Sequence, residues 1–225
     1  MKSFLKLVGL MFGLFLFSVG LLLAIHSRLG AAPWDTFQVG LAGITGLSLG
    51  RVSQLIGAAI IIIDIAIKQV PGRGTVLNMY FVGYFIDLIE KYSLIPDIES
   101  LFGRIVMLLC GIFVVSWGTF FYVNAGWGAG PRDSLMLGLS RLFSTKVWKA
   151  RTAIEICVAL AGLALGARLG VGTVILAVLV GPAVQLAYRI GGIDPATVTH
   201  KTFVDDYRAL VALSKGTPPS ESLPR

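Results

Sequence analysis

Leu29-Gly30-Ala31-Ala32-Pro33-Trp34-Asp35 returns later in the chain, at an offset of 98 residues, as Trp127-Gly128-Ala129-Gly130-Pro131-Arg132-Asp133. The register holds without a gap between residues 18–88 and 116–186. About a quarter of the aligned positions are identical, and most of those are Gly, Pro, Asp or Thr. Gly40-Leu41 falls on Gly138-Leu139, Gly72-x-Gly74-Thr75-Val76 on Gly170-x-Gly172-Thr173-Val174, and Gly83 on Gly181. These residue types set backbone shape, whereas coincidences of Leu with Leu could arise from composition alone. The pattern therefore predicts a duplicated chain, with a first repeat over residues 1–93, a second over 94–191 and a tail over 192–225.

Composition places the duplication in a bilayer. Of the 225 residues 56% are hydrophobic and only 14% charged, and the mean hydropathy is +0.83. A soluble domain carries about 25% charged residues. The formal net charge of +7 is explained by Lys and Arg held in cytoplasmic loops. No basic stripe interleaved with aromatics accompanies it, so nucleic acid is not an expected partner. Cys110 and Cys157 lie in apolar runs without a CxxC partner and read as small membrane-buried hydrophobes. The N-terminal apolar stretch is about 20 residues long, and Ala24-Ile25-His26 makes a poor cleavage site, so this stretch reads as a retained helix.

Six stretches are long enough to span a bilayer as helices: Phe4–His26, Leu49–Ile67, Thr75–Ile89, Leu101–Val123, Val147–Ala167 and Thr173–Ile190. Pro33–Thr45 and Pro131–Ser144 are too short. Each opens on Gly-x-x-Pro-x-Asp, with Pro at a first helical position and Asp in the first turn, as a re-entrant half-helix would. Three spans per repeat would invert the two halves, and four would leave them parallel. Positive charge puts both termini in the cytoplasm under either arrangement and does not choose between them; segment length favours inversion. The expected architecture is all-α, with two tandem repeats of three transmembrane helices plus one half-helix. In the tail, Thr202 and Asp205 resemble a capping box opening an amphipathic helix, and Gly216–Arg225 reads as disordered.

The strongest candidate site is the pair of half-helix entrances, Gly30, Pro33, Trp34 and Asp35 with Gly128, Pro131, Arg132 and Asp133. Such N-termini aim unpaired N–H groups at whatever fills the space before them. Asp35 and Asp133 either bind a cation or polar solute there, or cap their own helices. Trp34 and Arg132 occupy equivalent positions but differ in chemistry, so any site is asymmetric. Arg132 would face an anionic substrate or a lipid headgroup. Ionisable residues within spans are costly and mark pathways. Asp64, behind four isoleucines, and Glu155 are the candidates; they either share a proton or cation site, or Asp64 reaches the interface beside Lys68. Gly72/Gly74 and Gly170/Gly172 read as turns whose Thr caps the next helix. Gly9/Gly13 and Gly162/Gly166/Gly170 read as close-packing faces within the chain or across a homodimer. No metal site or cofactor is expected, and no GxSxG or HExxH set suggests an enzyme.

The Leu29-Gly30-x-x-Pro33-Trp34-Asp35, Gly130-x-Arg132-Asp133-x-Leu135-Met136 and Gly172-Thr173…Gly181-Pro182 pieces resemble the YczE/YitT group of bacterial integral membrane proteins over about residues 10–190. That resemblance implies a multi-pass protein of the bacterial cytoplasmic membrane. The expected function is a transporter or channel for a small solute or ion. The alternative is an accessory or regulatory protein acting beside a biosynthetic or export system through its cytoplasmic tail.

Overall fold

The computed structural model describes residues 2–194, 198 and 200–214, which form helices and no strands. In chain order these are α1 (Lys2–His26), α2 (Pro33–Thr45), α3 (Leu49–Ala66), α4 (Arg73–Lys91), α5 (Leu101–Asn124), α6 (Pro131–Leu142), α7 (Val147–Ala164), α8 (Val171–Ile190) and α9 (Phe203–Ser214). Within the described residues, α1, α3, α5 and α8 are long and apolar enough to cross a membrane. Six such helices were expected. α4 and α7 have the length, but Arg73, Asp87, Glu90 and Lys91 in one and Lys149, Arg151 and Glu155 in the other make them more polar. Large apolar side chains such as Ile62, Phe113 and Val174 face outward, a surface suited to lipid.

Helix ends follow local chemistry. Pro33 sits in the first turn of α2, and Gly46 ends it in a left-handed conformation with its N–H bonded to the carbonyl of Ala42. At thirteen residues the helix is about 20 Å long, too short to span. α6 also begins at a proline but stops at Leu142, two residues before the expected Ser144. Ser144 turns left-handed at φ 48°, and the Ser140 hydroxyl donates to the carbonyl of Thr145. α7 stops at Ala164 rather than Ala167, because Gly166 adopts φ 86° and the Ala167 N–H returns to the Gly162 carbonyl.

The closest helix pair is α1 with α5, which run antiparallel. A Cβ built on Gly13 would lie 2.5 Å from the Tyr122 nitrogen, and one on Gly20 2.5 Å from the Val115 nitrogen. The backbones touch because no side chains intervene, the usual way for helices to gain dispersion contact in lipid. α2 meets α7 in the same manner, with Gly162 against the backbone of Phe37, while Gly138 of α6 receives Ile67 at the end of α3. His26 at the end of α1 bonds Glu90 at the end of α4 at 2.8 Å, and Arg28 pairs with Asp97.

Two loop contacts mirror each other. The Gly74 N–H donates to the Trp127 carbonyl at 2.6 Å, and the Gly172 N–H donates to the Leu29 carbonyl at 2.8 Å. Gly30 and Gly128, at φ 120° and 124°, lie against Thr173 and Thr75. A side chain there would clash as well as strain the backbone. Thr75 and Thr173 do cap, but from the third helical position: each hydroxyl accepts the N–H of the preceding Gly72 or Gly170.

The tail runs back to these loops. The Lys201 N–H bonds the Gly126 carbonyl and the Phe203 N–H the Pro71 carbonyl. Thr202 and Asp205 exchange capping bonds at the head of α9, where the Thr202 backbone and hydroxyl hold the Asp205 carboxylate below the ordinary aspartate pKa. The expected disorder of Gly216–Arg225 and the side chains of Asp206 and Leu210 lie outside the described residues. Cys110 and Cys157 are free and face outward from the bundle.

Substituting Gly20→Ala or Gly118→Ala will press a methyl group into facing backbone, not into a flexible side chain. The expected cost is about 1–3 kcal/mol, read as a lower thermal unfolding temperature in detergent. Gly43→Ala, which meets open space, serves as the control.

Candidate functional site

The short helices do not reach across the bundle, so their N-termini end inside it. The first turns of α2 and α6 meet there, and a cavity of about 460 Å³ opens before them, a size typical of small-molecule sites. Pro33, Trp34, Asp35, Pro131, Arg132 and Asp133 line it, as does Glu155 from α7. Gly30 and Gly128 do not; they hold the loops behind it.

Arg132 is the junction of the two half-helices. Its Nη1 donates to Oδ1 of Asp35 at 3.3 Å, and its guanidinium lies 5.2 Å from the centre of the Trp34 ring. It is therefore engaged within the chain rather than turned to a headgroup. Asp35 is 5% exposed, and a carboxylate so enclosed requires a partner of this kind. Its first-turn place suggested a cap for its own helix, but among the described hydrogen bonds it accepts from Arg132 instead. Asp133 is no cap either: it accepts the Tyr122 hydroxyl at 3.1 Å and is open to the cavity. His200 of the tail lies within electrostatic reach of Asp133. Partial removal of its ring from water lowers its pKa, against the upward pull of that carboxylate.

Glu155 pairs with Arg151 one turn earlier on α7, at 2.9 Å. Asp64 lies outside the lining and is fully buried, so it neither joins Glu155 nor reaches the interface beside Lys68. Neither of its carboxylate oxygens has a hydrogen-bond partner; the Ser134 hydroxyl of α6 approaches without closing one. Asn78 and Gln185 reach the cavity, whereas Gln54 ties α3 to the Tyr80 carbonyl of α4.

Sequence reading passed over Tyr122, Gln38 and Arg151. Gln38 is 1% exposed and its Oε1 has no partner, as is true of the indole nitrogen of Trp34. Both line the cavity. Gln38 follows Trp34 by four and Asp35 by three, a spacing that places all three on one helix face. That signal was available. Tyr122 comes from a different helix and had none.

The chain's two halves differ around the cavity. α3 packs tightly on α4: Gly50 lies against the Gly83 carbonyl and Gly57 against Met79. Asp87 of α4 accepts from the Ser48 hydroxyl at 2.7 Å and the Gly50 N–H at 2.9 Å. At the offset of 98, Trp148 and Glu155 stand for Gly50 and Gly57, and Gln185 for Asp87. Among the described residues α7 packs mainly on α2 and α6 and at most loosely on α8, and Gly181 faces open space. The cavity lies against both α7 and α8 on this side.

Known proteins agree on family and leave function open. Residues 4–189 match the family of unknown function DUF6198. An uncharacterized protein of Haemophilus influenzae is 35% identical over 181 residues, 80% of this chain and 82% of its own length. The uncharacterized membrane protein YczE of Bacillus subtilis is 34% identical over 171 residues, 75% of this chain and 79% of its own. YyaS of the same organism, also uncharacterized, is 25% identical over 173 residues, 75% and 85% of the two chains. No solved structure shows significant similarity. On the match over residues 4–189, the chain belongs to the family of unknown function DUF6198, and it is similar to a protein named as a membrane protein, YczE.

Proposed function

We propose that this protein is a transporter, not an enzyme, moving a small solute or ion across the bacterial cytoplasmic membrane. The observation that carries this reading is the meeting of two half-helix N-termini, bridged by Arg132 and Asp35, at a cavity inside the bundle. Broken helices whose ends converge on a cavity are a recurrent transporter design. In this reading α4 and α7 also span the membrane, both termini are cytoplasmic, and the two repeats are inverted. Inversion is supported by the antiparallel run of α1 and α5, since parallel repeats would make these equivalent helices parallel. The bond between His26 and Glu90 supports it as well, because three spans put both residues on the external side.

Alternating access then follows from the asymmetry of the halves. With α3 and α4 closed at their external ends by Asp87, and α7 and α8 parted, the cavity faces the cytoplasm. Exchange of the two packings would turn it outward, a rigid-body motion of one half against the other. In this reading Asp64 couples the motion to protons. A buried carboxyl group that the Ser134 hydroxyl approaches without closing a hydrogen bond is suited to take up and release a proton as the helices around it shift. The accessory reading rests on the tail, whose backbone is tied to the loops before α4 and α6.

Three outcomes are expected. In a background lacking Cys110 and Cys157, a cysteine at Ser93 will react with a membrane-impermeant thiol reagent on intact cells; protection until lysis would overturn the inverted topology. In proteoliposomes, Asp64→Asn will lower proton-driven flux about tenfold at normal membrane abundance, while deletion of residues 196–225 leaves flux in place. Wild-type flux in the aspartate variant would remove the coupling role, and loss of flux on deletion alone would favour the accessory reading. A short thiol cross-linker between cysteines at Ser48 and Asp87 will stop flux reversibly; undiminished flux would rule out opening between α3 and α4.

A further inference from the structure

The ion pairing inside the cavity is incomplete. Three carboxylates line it, from Asp35, Asp133 and Glu155, against two guanidiniums, from Arg132 and Arg151. Arg132 serves Asp35 and Arg151 serves Glu155. Among the described residues Asp133 is hydrogen-bonded to the neutral Tyr122 hydroxyl and forms no ion pair.

The offset of 98 explains the gap. The residue before Asp133 is Arg132, and it reaches across to Asp35. The counterpart residue before Asp35 is Trp34, which would reach across to Asp133, and an indole brings no positive charge. Beside Asp133, the place that an arginine takes beside Asp35 is left to something else. Among the described residues no hydrogen bond or ion pair joins His200 to Asp133. Two further groups define what would fit. The indole N–H of Trp34 needs an acceptor and Oε1 of Gln38 needs a donor; both residues line the cavity, and neither atom has a partner. Unsatisfied polar groups inside a protein carry a cost that a ligand removes. Ile56, Met79 and Val82 on the wall accept an apolar body.

We propose that the cavity binds a small solute bearing a protonated amine, with Asp133 as its counter-ion, Gln38 accepting from the ammonium or a neighbouring donor, and the Trp34 indole donating to a polar group on the solute. This rests on the transporter reading and names the substrate class of the same site.

The test is calorimetric titration of the full-length protein in detergent with three probes of similar shape: 2-phenylethylammonium, 2-phenylethanol and 3-phenylpropanoate. The ammonium probe is expected to bind saturably, and the alcohol and carboxylate not to. Asp133→Asn will weaken the ammonium about tenfold or more. Trp34→Arg, which places a guanidinium at the counterpart position with Asp133 intact, will do the same, so the inference does not hang on one variant folding. Preference for the carboxylate, binding of none of the three, or wild-type affinity in both variants would overturn the proposal. Exchange of labelled probe in proteoliposomes separates the two claims. Asp133-dependent binding without exchange would remove transport and leave the ligand class standing; exchange of the carboxylate alone would do the reverse.

Discussion

Breaking helices inside a membrane exposes backbone N–H and C=O groups that hydrocarbon cannot satisfy, and the architecture answers that constraint. Gly74 N–H to the Trp127 carbonyl and Gly172 N–H to the Leu29 carbonyl join the start of each late helix to the loop before the other half's short helix. Such bonds require backbone to approach backbone, which is why Gly30, Gly72, Gly128 and Gly170 stand at the contacts. A Cβ at any of them would separate the partners and leave polar groups unpaired at a cost of about 1–3 kcal/mol each. Because each half supplies what the other lacks, neither half is complete without its counterpart.

With the loops held in this way, the half-helices end in the interior and their first turns face a common space. Positive helix ends and carboxylates arrive there together, and burial makes pairing necessary. Asp35 resolves its charge through Arg132, which also covers the face of Trp34. The same geometry leaves Asp133, Gln38 and Trp34 with unmet capacity. Where a purely structural core would satisfy every buried polar group, this one leaves Trp34 Nε1 and Gln38 Oε1 without partners on residues that line a cavity. Unmet capacity of that kind is what a binding site requires.

The divergence of α7 from α8 has an equally local origin. Gly50 and Gly57 let α3 lie on α4, whereas Trp148 and Glu155 at the corresponding places carry side chains that prevent such an approach. The two helix pairs thereby acquire different packing. Residues of both helix pairs line the cavity between them.

Much of the fold was legible in the chain. Apolar runs of about 20 residues can only be helices in a bilayer, and Pro33 and Pro131 mark helix starts through a φ restriction that operates locally; Gly166, read as a packing residue inside a longer span, instead ends α7 and faces open space. The short helices α2 and α6 were therefore readable, and Pro33, Trp34, Asp35, Pro131, Arg132 and Asp133 line one cavity. What only the tertiary structure decided was the partner of each charge. Arg132 meets Asp35 across 97 positions, Tyr122 reaches Asp133 from another helix, and Asp64 lies buried apart from Glu155. Periodicity tells which face of a helix a side chain occupies, but pairing depends on which helix lies opposite and at what depth. That is set by close backbone packing throughout the molecule, and no local pattern carries it.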